Sequence, residues 1–130
     1  MKISLKFLTA VSLLFVTIIS NASDKIMLFG NENNTKYLGC LTCSKYESDS
    51  VHNKYGQFGS KYNSDSIYNK YGQFGSKYSQ YGACNPYASN PPVVVDESGG
   101  FYGYLSMNSN LALVENLDLL AWLKYNVCSD

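Results

Sequence analysis

The chain contains no arginine; all ten of its basic residues are lysines, against ten carboxylates and a single histidine. Surfaces that read phosphate or nucleic acid usually rest on a basic patch with arginine forks. Here the lysines are spread singly, so nucleic acid is not an expected partner. One histidine, His52, leaves little for acid–base catalysis, which needs a base held by a positioned partner. There is no Gly-x-Ser-x-Gly elbow, no His-Glu-x-x-His, no phosphate-binding glycine loop and no EF-hand pattern. No catalytic residue, metal ligand or cofactor is therefore expected, and an enzyme is the less favoured reading. Long apolar runs are scarce too, with one exception at the start.

That run reads as a leader. Lys2 and Lys6 precede an uncharged apolar stretch, Phe7 to Ile19, and Ser20-Asn21-Ala22 forms a small-x-small cleavage site. This is the pattern of a signal peptide over residues 1–22. The run is shorter than the roughly 20 apolar residues that cross a bilayer, and no later run is long enough. Leu38-Gly39-Cys40 is similar to the lipobox of bacterial lipoproteins, but there the cysteine directly follows the apolar region. Asp24, Lys25, Glu32 and Lys36 intervene here, so the match is a coincidence on a strand. The expected mature chain, residues 23–130, is one small domain that is secreted or periplasmic.

Four cysteines remain, Cys40, Cys43, Cys84 and Cys128. An even number in a small exported chain predicts disulfides, and four cysteines allow three connectivities. Cys40 to Cys43 is also a C-x-x-C, which raises redox and zinc readings. A redox pair sits at a helix start, whereas this one follows Tyr37-Leu38-Gly39 and reads as strand. A zinc site wants two close pairs, and Cys84 and Cys128 are 44 residues apart. Residues three apart on a strand point to opposite faces, so each cysteine of the C-x-x-C is expected to reach a distant partner.

The main signal is a duplication. Ser48–Tyr62 and Ser64–Tyr78 agree at thirteen of fifteen positions, differing only at Val51/Ile67 and His52/Tyr68. Framed on Ser-Lys-Tyr, residues 44–91 form three units of sixteen, the last of them degenerate. Repeats of this kind bury a face that one unit cannot bury alone. The apolar anchors Tyr62, Ile67, Tyr71 and Phe74 fit neither a helical nor a strand period. Glycines and Ser-Asp-Ser predict turns, with the aromatics pointing inward and stacking between units.

Apolar run, polar turn, apolar run recurs on both sides of the repeats, at 26–43 and 93–107. This predicts two β-hairpins that can pair into one sheet. Tyr37–Thr42 is echoed by Phe101–Ser106. Residues 110–125 have helix formers and a broad apolar face, predicting a helix buried in the domain and stapled by Cys128. Asn116 and Asp118 could instead start a shorter helix. The expected class is a small α+β fold: two short hairpins flanking an irregular, turn-rich Tyr/Gly repeat region, one C-terminal helix, and disulfide staples.

The unit Ser-Lys-Tyr-x-Ser-Asp-Ser-Ile-x-Asn-x-Tyr-Gly-x-Phe-Gly, followed by Asn90-Pro91-Pro92 and Phe101-Tyr102-Gly103-Tyr104-Leu105, resembles a group of small exported bacterial proteins with tandem Tyr/Gly/Ser/Asn repeats. The similarity covers Tyr37–Leu105. It implies export and a repeat architecture and is silent on mechanism.

Within the repeats, the slot of His52 holds Tyr68 and then Cys84, which marks a packing position rather than a catalytic one. Asp49 and Asp65 also share a slot. One carboxylate per unit is too few for calcium, so Asx turns are expected there. Aromatic repeats raise glycan binding, with Tyr55, Phe58, Tyr71 and Phe74 as candidate ligand-facing residues. The reading is an exported structural or binding module, with a glycan- or cell-wall-binding repeat as one alternative and a small hydrolase or enzyme accessory as another. An envelope glycan or protein is the partner class considered.

Overall fold

The structure is a computed structural model that describes residues 24–130. The leader expected at 1–22 lies outside the described residues. Four antiparallel strands form one sheet in the order β2-β1-β3-β4: β1 Ile26–Gly30, β2 Lys36–Cys40, β3 Val93–Asp96 and β4 Phe101–Tyr104. The two expected hairpins thus exist and pair through β1 and β3, with Leu28 opposite Val94.

Each hairpin turn is closed by one polar side chain. Asn31, itself at φ 73°, accepts from the amides of Asn33 and Thr35. Asp96 accepts from the amides of Ser98 and Gly100. The echo between Tyr37–Thr42 and Phe101–Ser106 has a structural counterpart. Gly39 (φ 113°) and Gly103 (φ 119°) both sit at register shifts, opposite Leu28 and Val94. That backbone conformation favours glycine. A Cβ on Gly39 would also stand 2.7 Å from Phe58 Cβ, so this glycine lets the first repeat lie on the sheet.

The repeats fold as a string of short turns. Backbone i→i+3 bonds start at Ser44, Glu47, Ser50 and Asn53, and again at Asn63, Ser66 and Asn69, while Gly56 and Gly72 start i→i+4 bonds. Each sixteen-residue unit is therefore built from triplets with one four-residue step, which is why neither a 3.6 nor a 2.0 period appeared. Ser or Asn opens most triplets, and its side chain accepts from the amide two residues on. Examples are Ser60 from Tyr62 (3.1 Å) and Asn69 from Tyr71 (3.0 Å). Such local bonds are the ordinary use of Ser and Asn in turns. Asn53, Asn69 and Asn85 add a second bond, from the side-chain amide to the carbonyl six residues back.

The repeats connect the end of β2 to the start of β3. Both strands run antiparallel to β1, hence parallel to one another, and the array crosses the sheet between them. Val51 and Phe58 pack near Gly39, and Phe74 packs near Gly30, so the array advances along the strands. Val51, Ile67 and Ala83 fill one equivalent slot and join Leu28, Leu38, Val94, Leu105 and Leu123 in a single core. The degenerate third unit ends the array, its Ala83 carbonyl accepting from Met107 and its Ala88 carbonyl from the Asn108 side chain.

The C-terminal helix is shorter than residues 110–125. Helix α1, Leu117–Trp122, is capped by Asn116, whose side chain accepts from Leu119 N at 3.1 Å, and continues as a π turn over Leu123–Val127. Residues 112–114 cannot join the helix because their backbone bonds Tyr104 on the edge strand β4. Nor is α1 fully buried: its Leu119, Leu120 and Trp122 are partly buried against the core, and Leu123 and Val127 of the π turn are buried in it.

The expectation that each cysteine of the C-x-x-C would reach a distant partner is corrected. Cys40 bonds Cys43, and Cys84 bonds Cys128. Strand β2 ends at Cys40 and the chain bends over 41–43, so the two residues are not on an extended segment and their Cα atoms are 5.5 Å apart.

Candidate binding surface

The third residue of each triplet carries the differences between the faces of the array. Two triplets per unit send tyrosine outward, Ser-Lys-Tyr and Asn-Lys-Tyr, the latter replaced by Asn85-Pro86-Tyr87 in the third unit. Tyr46, Tyr55, Tyr62, Tyr71, Tyr78 and Tyr87 are 83 to 98% exposed. This corrects the expectation that the aromatics point inward and stack between units. Shared grooves join four of them in one line: Tyr55 with Tyr62, Tyr62 with Tyr71, and Tyr71 with Tyr78. The opposite wall of these grooves comes from residues after the helix, Asn126 to Asp130. Of the four candidate ligand-facing aromatics, Tyr55 and Tyr71 lie on the surface. Phe58 and Phe74 do not. They are buried in the core, because the Gly-Gln-Phe-Gly step turns them toward the sheet.

Every lysine of the repeats immediately precedes one of these tyrosines: Lys45, Lys54, Lys61, Lys70 and Lys77. Lys45 and Lys54 lie over the rings of Tyr46 and Tyr55, with Nζ 5.4 and 5.8 Å from the centroids. Two of the three repeat carboxylates, Asp49 and Asp65, pair with lysines outside the repeats. Asp49 accepts from Lys25 Nζ at 2.7 Å and from the Tyr37 hydroxyl at 2.6 Å, and Lys25 first, then Tyr37, holds its carboxyl below the usual range. Burial first, then the Asp49 bond, pushes the Tyr37 phenol well above its usual value. Asp65 pairs with Lys36 at 3.3 Å and accepts from Gln57. The shared aspartate slot therefore fastens coils to the sheet. In the second unit the Asx turn is made by Asn63, whose side chain accepts from the Asp65 amide.

The slot of His52, Tyr68 and Cys84 faces the C-terminal segment. His52 and Tyr68 meet Trp122 edge-on, at 5.4 and 6.2 Å between centroids, and Cys84 is bonded to Cys128. His52 Nε2 also lies 2.9 Å from the Leu41 carbonyl. Burial pushes the Tyr68 phenol up to about 12. All three residues tie the array to the same partner, which explains why the slot accepts three chemistries.

One further carboxylate reaches the tyrosine line. Asp130 lies 3.0 Å from Lys70 Nζ and 3.1 Å from Lys77 Nζ, and these two lysines hold its carboxyl below the usual range. It lines the grooves on both sides of Tyr71. Among the described residues, no group of three or more His, Cys, Asp and Glu is placed to hold a metal ion. No helix of the described residues is long and apolar enough to cross a membrane.

Sequence reasoning missed Tyr46, Tyr62, Tyr78 and Tyr87, and the lysines beside all but the last. The signal was present in the Lys-Tyr pair, preceded alternately by Ser and Asn. Compared with family models, with curated proteins and with solved structures, the chain matches none of them.

Proposed function

We propose that this protein is an exported binding module whose tyrosine line docks an extended glycan of the cell envelope or extracellular space. The observation that carries the reading is the exposure itself: six tyrosines, each at least 83% exposed, are set out by the array instead of being folded into a core, and four of them share grooves. Large aromatic rings left in water favour a role in contact, since tyrosine gives broad amphipathic area at little entropy cost. The rings flank open grooves, and a chain of sugar rings can lie along such grooves and stack on successive tyrosines. Two disulfides, typical of extracellular or periplasmic proteins, support export, as does the leader-like start of the sequence.

Retention on immobilised polysaccharides tests this, with Tyr55→Ala and Tyr71→Ala as variants. Retention of the parent and its loss in both variants, at unchanged stability, is expected. Equal retention of parent and variants would leave the tyrosines no binding role.

A further inference from the structure

We propose that the ligand of the tyrosine line is an acidic polysaccharide, and that Asp130 holds the place of one ligand carboxylate in the free protein. This rests on the glycan reading and adds the charge of the ligand.

The first argument is charge segregation. The repeats carry five lysines, and all five stand beside the outward tyrosines. Two of the three carboxylates of the repeats, Asp49 and Asp65, are drawn to Lys25 and Lys36 of the sheet region, while the third, Glu47, accepts from the Ser44 amide of its own turn. The chain has as many carboxylates as lysines, so this positive edge comes from placement and not from composition. Lysine is a point charge on a flexible stem, suited to scattered carboxylates more than to the bidentate reading of phosphate that arginine gives. Nucleic acid is the less favoured polyanion for that reason.

The second argument is the place of Asp130. One carboxylate bridges two lysines of successive outward triplets, Oδ1 at 3.0 Å from Lys70 and Oδ2 at 3.1 Å from Lys77. It does so in the groove shared by Tyr71 and Tyr78. A uronate ring stacked on either tyrosine could present its carboxylate to the same pair of ammonium groups. Asp130 therefore competes with the ligand at this position, whereas the first groove, lined by Lys54, Tyr55, Lys61 and Tyr62, holds no carboxylate.

The test compares polygalacturonate, its fully methyl-esterified neutral form, and oligo-deoxythymidylate, each titrated into the oxidised protein. Polygalacturonate is expected to bind at least about tenfold tighter than the ester and to weaken as salt rises, because exposed charges are screened. Asp130→Asn is expected to tighten polygalacturonate about two- to fivefold, the scale of one exposed ion pair, and Lys70→Gln with Lys77→Gln to weaken it. Equal binding of the ester would overturn the acidic assignment and leave the glycan reading standing. Binding of neither polysaccharide would remove both. Tighter binding of the oligonucleotide would overturn the assignment in favour of nucleic acid. An Asp130→Asn variant that binds no better would refute the competitor role of Asp130.

Discussion

Tyr71 and Phe74 are three residues apart in one unit and have opposite fates: Tyr71 is 98% exposed and Phe74 is 4% exposed. The Phe74 ring lies against Gly30 of β1, where a Cβ would stand 3.0 Å from it, and belongs to the single core shared by sheet, array and π turn. Truncating such a ring removes its transfer free energy and leaves a cavity, together about 3–5 kcal/mol. The Tyr71 ring contributes almost no burial, and substitutions of that kind fall within about 0.5 kcal/mol of neutral. Urea unfolding of Phe74→Ala and Tyr71→Ala, both oxidised, measures the contrast. With a slope of about 1–3 kcal/mol per molar, Phe74→Ala should lower the midpoint by about 1 M or more, and Tyr71→Ala should leave it in place. A loss above about 1 kcal/mol for Tyr71→Ala, or below that for Phe74→Ala, would refute the assignment of inside and outside. The binding argument would fall with it, because the tyrosines would then be structural.

The two disulfides should differ in worth. Cys84–Cys128 spans a separation of 44 residues and Cys40–Cys43 only 3; the chain-entropy relation gives about 4 and about 2 kcal/mol respectively. Paired serine variants compared by urea unfolding should keep that order, and a larger loss from the Cys40/Cys43 pair would contradict it. Asp49→Asn should cost about 1 kcal/mol, since it weakens two charge-assisted bonds on a partly exposed group. The folded carboxyls of Asp49 and Asp130 lie below the usual value. Their contribution is present above the unfolded pKa near 3.9 and is lost as pH falls through the folded value. Parent stability should fall in acid below about pH 4, more steeply than that of Asp49→Asn; parallel acid profiles would rule out Asp49 as a main contributor.

Much of the sheet was legible because its hairpins use rules that act within a few residues. Apolar runs interrupted by Asn31–Thr35 and Asp96–Gly100 gave both hairpins, and their pairing followed from two short strand pairs needing a common core. The length of the helix was not legible. Residues 112–114 have helix formers, yet the edge strand β4 takes their backbone bonds through Tyr104, a tertiary choice that local propensity does not contain. The cysteine pairing failed on one premise, that Cys40 to Cys43 stays extended. The aromatics of the repeats failed for a different reason. Their hydrophobicity is the same inside and out, so Tyr62 and Phe74 were placed on one face. The discriminating signal lay in the residues before them: Ser or Asn with Lys ahead of an outward tyrosine, Gly-Gln ahead of an inward phenylalanine. The turn chemistry of Ser60 and Asn69 fixes which way the next side chain points, and a hydrophobic period cannot register it.

That same turn chemistry bears on how the surface would bind. The backbone amide of each outward tyrosine is bonded within its own triplet, so the points from which the rings project are set before any ligand arrives. The backbone then needs little ordering on binding, and the cost left is that of fixing the exposed side chains. The grooves are open, about 350, 650 and 180 Å³ in chain order, and a single sugar in one of them would be held only weakly, at about the millimolar level that corresponds to 4 kcal/mol. A polymer reaching two or three grooves at once converts the later contacts into intramolecular ones, a gain of about 10²–10⁴ without any new kind of contact. The array supplies that geometry by repetition: the same Lys-Tyr wall recurs at every outward triplet from Lys45 to Tyr78. On the proposed reading, monosaccharides would fail to report the activity and chains of several residues would reveal it. Because the array leaves β2 and enters β3, both of its ends are tied to the sheet.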